Sequence, residues 1–278
     1  MNVLDSTLSV FSCVPCDPTT VLNRIVTFLA DAELLKGGVL MAVLWGLWLA
    51  GGDARRTTEI RSRVLMTVAG GFAALFVARS LALLLPFRSR PFETSAADVP
   101  AAVRALESWS AFPSDHAALF FALATGILLI SRPLGLLALA HAVVVITLPR
   151  LYLGLHHPSD LVAGAAIGSA CAMVAGWAPV RTRCTARVLA WGSAHGPWLA
   201  ALAFALSFEI ATLFDTVRNG ARVVWSVAKP IVRASPVRVA ETTGLLVVVA
   251  LVVAIVMLAR SRRVLDRLAD EQEARDST

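Results

Sequence analysis

Long apolar runs separated by short polar segments make up most of this sequence. Runs of this length are typical of transmembrane helices, because about 20 helical residues cross the hydrocarbon core of a bilayer. No segment alternates polar and apolar residues as the strand of a membrane barrel does. The runs predict seven spans, at residues 34–50, 64–85, 117–130, 134–148, 161–177, 198–213 and 245–258. We therefore predict an all-α polytopic membrane helix bundle with about six or seven transmembrane helices.

The remaining segments divide the chain into three parts. Residues 1–33 are predicted to be an extracytoplasmic tail followed by an interfacial helix at 21–30, which is too short to span. Residues 34–190 form the predicted catalytic membrane core. Residues 191–278 are predicted to add further transmembrane helices, joined by a basic connection, and a charged C-terminal tail. Within the core, Gly164 and Gly168 form a GxxxG pattern, which lets helix backbones approach closely.

Composition supports the membrane assignment and argues against nucleic-acid binding. The chain is 57% hydrophobic and 16% charged, whereas soluble domains are about 25% charged. Its formal net charge is +6, but the basic residues lie in short clusters between apolar runs. That distribution fits the positive-inside rule and not a basic nucleic-acid-binding face. We expect basic loops at 55–63, 131–132, 181–187 and 260–263 on the cytoplasmic side.

Four cysteines occur, and two of them, Cys13 and Cys16, have the spacing of a redox or zinc half-site. No second pair or histidine partner follows them. A local disulfide in an extracytoplasmic tail and two unpaired thiols remain equal alternatives.

Three polar clusters fall in segments that the predicted topology puts on one face of the membrane. They are residues 88–91 (Arg-Ser-Arg-Pro), residues 113–116 (Pro-Ser-Asp-His), and Arg150 with His156 and Asp160. Ionisable groups at span boundaries are costly and usually mark a site. Fixed arginines suit the spread negative charge of a phosphoryl-transfer transition state. Together the clusters predict a phosphoryl-transfer site.

The two histidines fit different chemical roles. A nucleophilic histidine must be neutral, and a general acid must be protonated. Because Asp160 follows His156 by four residues, we expect its carboxylate to hold one ring nitrogen of His156 and fix the tautomer. No carboxylate lies at that spacing from His116, which we expect to be the acid. Ser114 precedes a predicted helix, where its hydroxyl and the free N–H groups favour an anion.

These clusters resemble the three-part signature of the type 2 phosphatidic acid phosphatase (PAP2) superfamily. The third part matches in spacing from Arg150 through His156 to Asp160, with Pro149 replacing a serine. The second part carries Asp115 where the family has glycine. The first part keeps Arg90 and Pro91, but Leu83 occupies its basic position. Arg79, one turn earlier, and Arg88 are the candidates to supply that charge, and helical geometry slightly favours Arg79.

The resemblance implies a membrane lipid phosphatase that uses a phosphohistidine intermediate and no metal or other cofactor. His156 would be the nucleophile, Asp160 would orient it and His116 would protonate the leaving group. The residues expected to bind phosphate are Arg79, Arg88, Arg90, Ser114, Asp115 and Arg150. Undecaprenyl diphosphate is favoured as substrate over phosphatidic acid and phosphatidylglycerophosphate. The site would face the outside of a bacterial inner membrane. A lipid-to-lipid phosphotransferase and a non-catalytic anion-binding transporter remain alternatives, and the oligomeric state stays unknown.

Overall fold

The computed structural model describes residues 5, 7, 12, 20–50, 52–94 and 110–212. Compact contacts divide the chain into a unit of residues 1–215 and a unit of residues 216–278, the second of which lies outside the described residues. The predictions for Cys13, Cys16 and the span at 245–258 also fall outside them.

Every regular element in the described ranges is a helix, so the all-α prediction is confirmed there. The helices are α1 (Val21–Asp31), α2 (Val39–Leu49), α3 (Ala54–Leu84), α4 (Pro91–Thr94), α5 (Asp115–Ile130), α6 (Arg132–His141), α7 (Leu148–Tyr152), α8 (Pro158–Gly176), α9 (Ala178–Ala194) and α10 (Gly196–Ala211). Two π-helical segments, Leu34–Gly38 and Ala142–Thr147, lead into α2 and join α6 to α7.

Three helices are long and apolar enough to cross a membrane: α3, the continuous helix Arg132–Tyr152, and α8. The helices Val21–Asp31 and Leu34–Leu49 meet at a 62° bend and count as a fourth if they form one broken span. Two further apolar helices, α5 and α10, are shorter, at 16 residues each. The chain is an integral membrane protein. The described residues account for three or four spans by length and composition, fewer than the six or seven predicted.

Two segments predicted as basic loops are helical, which corrects the sequence prediction. Residues 54–63 are the first turns of α3, because Asp53 caps that helix by accepting a hydrogen bond from the Arg56 amide at 2.7 Å. Residues 181–187 lie inside α9. Here Arg181 donates to Glu59 of α3 at 2.7 Å, so the charge is paired within the bundle. Hydropathy detects apolar runs, and it therefore misses helical turns whose charges are capped or paired.

Helix α5 lies at the centre of the core. It packs against α3, α6 and α8. Its Leu119, Phe120, Leu123 and Ile127 are all completely buried. Because other helices enclose α5 on most sides, nearly its whole surface is buried. Its sequence is accordingly apolar on every face. Its first turn is thereby held among the surrounding helices.

The two glycines of the GxxxG pattern bring α8 against the start of α5, as predicted. A Cβ on Gly164 would lie 2.4 Å from the carbonyl oxygen of Ser114, and one on Gly168 would lie 2.2 Å from that of Ala118. Both distances are far below van der Waals contact, so any side chain would force the helices apart. The glycines fix the N-terminus of α5 beside the N-terminal half of α8.

Candidate active site

The three polar clusters converge around a small cavity of about 20 Å³. One wall comes from the last turns of α3, another from the loop that precedes α4, and the rest from the segments that begin α5 and α8. The lining residues are Ala78, Arg79, Ala82, Arg90, Ser110, Pro113, Asp115 and His156. Four of the nine predicted site residues therefore lie at the cavity wall, although they come from separate parts of the chain. They are Arg79, Arg90, Asp115 and His156.

His156 lies beside this cavity, 3% exposed, with a fixed tautomer. Its Nδ1 is 2.9 Å from the carbonyl oxygen of Ala111, and its Nε2 is 3.3 Å from Nη1 of Arg90. A carbonyl only accepts hydrogen bonds and a guanidinium only donates them. Nδ1 must therefore carry the proton, and Nε2 presents its lone pair. Arg90 is held in turn, because its Nη1 also donates to the carbonyl of Leu155 at 2.7 Å.

Asp160 does not make the direct hydrogen bond to His156 that its spacing predicted. Its Oδ2 lies 3.8 Å from Nδ1 of His156, beyond hydrogen-bond distance. That oxygen accepts instead from the backbone amide of His157 at 2.8 Å, and Oδ1 accepts from Arg88 at 2.5 Å. The fully buried carboxylate thus holds the peptide next to the histidine. The Ala111 carbonyl takes the ring contact that was expected of the aspartate.

The two arginines considered for the missing basic position have separate environments. Leu83, at that position, is 69% exposed. Arg79 lines the cavity and forms an ion pair with Asp115. Arg88 is not among the cavity-lining residues, and its guanidinium bonds the carboxylates of Asp160 and Asp5. Carboxylates engage both terminal nitrogens of Arg88 here, and the phosphate-binding role expected of it stays a prediction. Of the two candidates, Arg79 is the one that brings its charge to the cavity, which Arg90 also lines.

Asp115 makes contacts that its predicted role does not include. Its Oδ1 accepts from the backbone amide of His116 at 2.7 Å and contacts the ring Nδ1 at 2.8 Å, while Oδ2 pairs with Arg79. The carboxylate is engaged in these contacts, and the phosphate-binding role expected of Asp115 stays a prediction. The carboxylate connects Arg79 to His116. No carboxylate lies four residues from His116, but Asp115, the residue before it, supplies a carboxylate partner.

Ser114 and Arg150 lie close to this group, both buried. Ser114 is completely enclosed; it caps α5, with its hydroxyl accepting from the Ala117 amide at 3.4 Å, and its own amide donates to the Asp160 carbonyl at 3.1 Å. Arg150 is 3% exposed, donates to the Ile146 carbonyl at 3.1 Å and lies within electrostatic range of His116. The phosphate-binding roles expected of both remain predictions.

Three contributors were missed from the sequence. The Ala111 carbonyl carries no side-chain signal. Asp5 lies 83 residues before its partner Arg88 and belongs to no motif. Lys36 is 4% exposed, pairs with Glu33 at 2.9 Å and lies within electrostatic range of His116 and Arg150. A lysine inside an apolar run was the available signal for this last residue, because such a charge is rarely kept in a span without a partner.

Comparison with known proteins places the chain in a family. The family model described as the PAP2 superfamily matches residues 64–184. The putative undecaprenyl-diphosphatase YbjG of Escherichia coli (strain K12) is 30% identical over 171 residues, which cover 58% of this chain and 76% of that protein. The chain belongs to the PAP2 superfamily. The matched PAP2 segment runs from α3 into α9 and includes every predicted site residue, and it is narrower than the predicted core of residues 34–190.

Two further similarities accompany this PAP2 match. The bacitracin transport permease protein BcrC of Bacillus licheniformis is 29% identical over 160 residues, covering 57% of this chain and 72% of that protein. Among solved structures, the crystal structure of Aquifex aeolicus LpxE aligns with a TM-score of 0.40 and 21% identity, covering 63% of this chain and 95% of that one.

Proposed function

We propose that this PAP2 protein is a membrane lipid phosphatase in which His156 is the nucleophile. One observation carries the proposal: the buried ring has its proton on Nδ1 and its Nε2 lone pair beside Arg90, at a cavity that Arg79 also lines. A neutral imidazole, whose Nε2 lone pair becomes available once phosphate takes the Arg90 guanidinium, is the state that attack on a phosphoryl group requires. Family membership supports the same reaction class.

In the first half-reaction, Nε2 of His156 attacks phosphorus and forms a P–N bond. The P–O bond to the leaving group breaks, and its electron pair goes to the leaving oxygen. His116 donates a proton to that oxygen. Asp115, 2.8 Å away, gives the protonated ring a carboxylate partner, whereas burial and the charge of Arg150 oppose protonation. The acid role therefore depends on the negative charge that the substrate brings beside the ring.

In the second half-reaction, His116 takes a proton from water as the water oxygen attacks phosphorus. The P–N bond breaks and its electron pair returns to Nε2 of His156. Inorganic phosphate leaves, and both histidines regain their starting states. Asp160 takes no part in bond making, since its oxygens hold the His157 amide and Arg88.

Substrate binding requires a rearrangement of Arg90. A cavity of about 20 Å³ holds roughly one water molecule and is too small for a phosphate. We propose that the incoming phosphoryl group takes the place of Nε2 as the partner of the Arg90 guanidinium. Arg79, Arg90 and Arg150 then bind phosphoryl oxygens, and Ser114 contributes the N-terminus of α5.

The substrate we propose is a lipid diphosphate of the undecaprenyl type, acted on at the extracytoplasmic face of a bacterial inner membrane without a cofactor. The similarity to YbjG, which is described as a putative undecaprenyl-diphosphatase, supports this choice. Phosphatidic acid and phosphatidylglycerophosphate are the runner-up substrates.

The test is phosphate release by protein purified in detergent, with EDTA present, from undecaprenyl diphosphate, phosphatidic acid and phosphatidylglycerophosphate. We expect release from the diphosphate first, and inhibition by vanadate, which mimics pentacoordinate phosphorus. Absence of phosphate release from all three lipids sinks the proposal. Turnover that vanadate leaves untouched counts against the histidine mechanism.

A second candidate is an anion-binding transporter that uses the same arginines without catalysis. The name of BcrC, a bacitracin transport permease protein, is the observation that favours it. It predicts binding of lipid phosphate by purified protein without release of inorganic phosphate. A lipid-to-lipid phosphotransferase would instead yield a new phosphate ester when an acceptor lipid is supplied.

A further inference from the structure

Asp5 lies far from the signature in the chain but bonds directly to residues behind the proposed nucleophile. Its Oδ2 accepts from Nη2 of Arg88 at 2.6 Å and from the Ser159 hydroxyl at 3.0 Å. Its Oδ1 accepts from the Ser159 amide at 3.0 Å, at the start of α8. The carboxylate is 1% exposed, so these are its means of compensating a buried charge.

Arg88 therefore lies between two buried carboxylates. Nη1 bonds Asp160 at 2.5 Å and the Ser159 hydroxyl at 2.8 Å, while Nη2 bonds Asp5. The Arg88 side chain is 29% exposed, and the carboxylates of Asp5 and Asp160 are 1% and 0% exposed. A guanidinium with both of its terminal nitrogens held has one orientation, whereas a guanidinium held at one end is free to rotate about that contact.

The orientation of Arg88 reaches the nucleophile through Asp160. One oxygen of Asp160 is held by Arg88, and the other receives the amide of His157. That amide belongs to the peptide bond that follows His156. The position of the His156 ring relative to the Ala111 carbonyl and Arg90 depends on this peptide, and reaction rates are sensitive to misplacement on the order of 1 Å.

We infer that Asp5 is a positioning residue for the phosphoryl-transfer site, acting through Arg88 and Asp160 on the peptide that carries His156. The inference rests on the proposed function. It gives a positioning role to Asp5, which lies outside the matched PAP2 segment because that segment begins at residue 64. It also explains why Arg88 does not serve the cavity: Asp5 and Asp160 hold it as a pair.

A purely structural helix cap is the competing account of Asp5, since a carboxylate at a helix N-terminus stabilises the helix on its own. The two accounts differ in what the charge does. A cap serves stability and leaves turnover per folded molecule unchanged. A positioning residue changes kcat in molecules that remain folded, and its effect disappears once Arg88 is removed, because both act through one contact.

The test uses the full-length protein in detergent and compares Asp5→Asn with the matched control Asp31→Asn, at an exposed aspartate outside the network. We expect Asp5→Asn to lower kcat for phosphate release from undecaprenyl diphosphate roughly 10- to 100-fold, the effect of losing a hydrogen bond to a charged group. KM should change less than about twofold, since Asp5 does not line the cavity. Asp5→Glu should recover part of the loss, and Asp31→Asn should match wild type.

A double variant makes the test independent of folding. Asp5→Asn combined with Arg88→Gln should have the kcat of Arg88→Gln alone. Wild-type kcat in Asp5→Asn, or a loss that tracks the fraction of unfolded protein, overturns the inference while the proposed function stands. Fully additive losses in the double variant overturn it too. A wild-type protein that releases no phosphate instead overturns the proposed function, and the inference with it.

Discussion

The two ends of α3 each carry a cluster of paired charges, and the clusters differ in composition. At the start, Glu59 accepts from Arg63 at 2.8 Å and from Arg181 at 2.7 Å. At the end, Arg79 pairs with Asp115, which in turn holds His116. Both clusters join α3 to other helices through charges in an otherwise apolar bundle.

The difference between them separates structure from chemistry. In the Glu59 cluster, Arg63 also donates to the Leu129 carbonyl at 2.7 Å, near the end of α5. Arg181 donates to the Ser62 hydroxyl at 2.7 Å, so these donors satisfy acceptors within the bundle and pair charge. The Arg79 cluster adjoins a cavity that His156 lines, and Nε2 of that ring lies beside the Arg90 guanidinium. A buried ion pair alone is weak evidence for a site. A ring nitrogen whose lone pair faces a guanidinium at the cavity marks the reactive end.

The largest expected effect is that of His156→Ala. Loss of the nucleophile should lower kcat at least about 10³-fold, as removal of such a residue does in other enzymes. Phosphate release from the lipid diphosphate measures it. His157→Ala is the matched control, because its ring contacts the Ser89 carbonyl at 3.3 Å and not the cavity. Equal losses in the two variants would argue against the assignment of the nucleophile.

Arg79→Leu should follow, with a decrease in kcat/KM on the order of 10²-fold, the cost of removing one donor that stabilises transition-state charge. Arg61→Leu, near the opposite end of the same helix, is the control and should remain within about twofold of wild type. A fully active Arg79→Leu enzyme would show that Arg79 does not replace the cation missing at Leu83.

Arg181→Met should change stability and leave turnover per folded molecule intact. Its guanidinium donates to Glu59 and Ser62, and the side chain is 8% exposed, so the cost is about 1–3 kcal/mol of unfolding free energy. Denaturant unfolding in detergent measures it, with the exposed Arg183→Met as control. A loss of kcat in the folded fraction would mean that both ends of α3 serve the reaction.

The smallest effect is a pH dependence at Asp5. Burial opposes its ionisation, but hydrogen bonds from Ser159 and Arg88 outweigh burial and lower the pKa below the ordinary value of 3.8. A depressed folded-state pKa stabilises the protein above the unfolded pKa, and that contribution is lost as pH falls through the folded value. The difference in unfolding free energy between wild type and Asp5→Asn should therefore shrink on acidification below about pH 4. A constant difference between pH 7 and pH 3 would contradict this prediction.

The sequence predicted the helices well where apolar runs are long and poorly where charges are paired. The pattern predicts a loop at residues 55–63 because hydropathy does not detect the Asp53 cap or the Glu59–Arg63 pair. The central position of α5 could not be predicted either, since the apolar run at residues 117–130 has the same sequence pattern inside a bundle and facing lipid. Only the tertiary contacts distinguish those two cases.

For the candidate site, side-chain spacing identified His156, Arg90 and Arg79, which the fold brings to one cavity. It failed where a partner has no side-chain signal or no fixed spacing. The Ala111 carbonyl is a backbone group, and Asp5 meets Ser159 across 154 residues. Such partners depend on how loops pack, which local pattern does not determine.

The stereochemical course at phosphorus tests the central claim most directly. Each in-line displacement inverts phosphorus, so transfer to His156 followed by transfer to water gives net retention, and direct attack by water gives inversion. Hydrolysis of a lipid thiophosphate made chiral with oxygen isotopes, in isotopically labelled water, distinguishes the two outcomes. We predict retention. Inversion would contradict a covalent intermediate on His156 and leave the histidine a base.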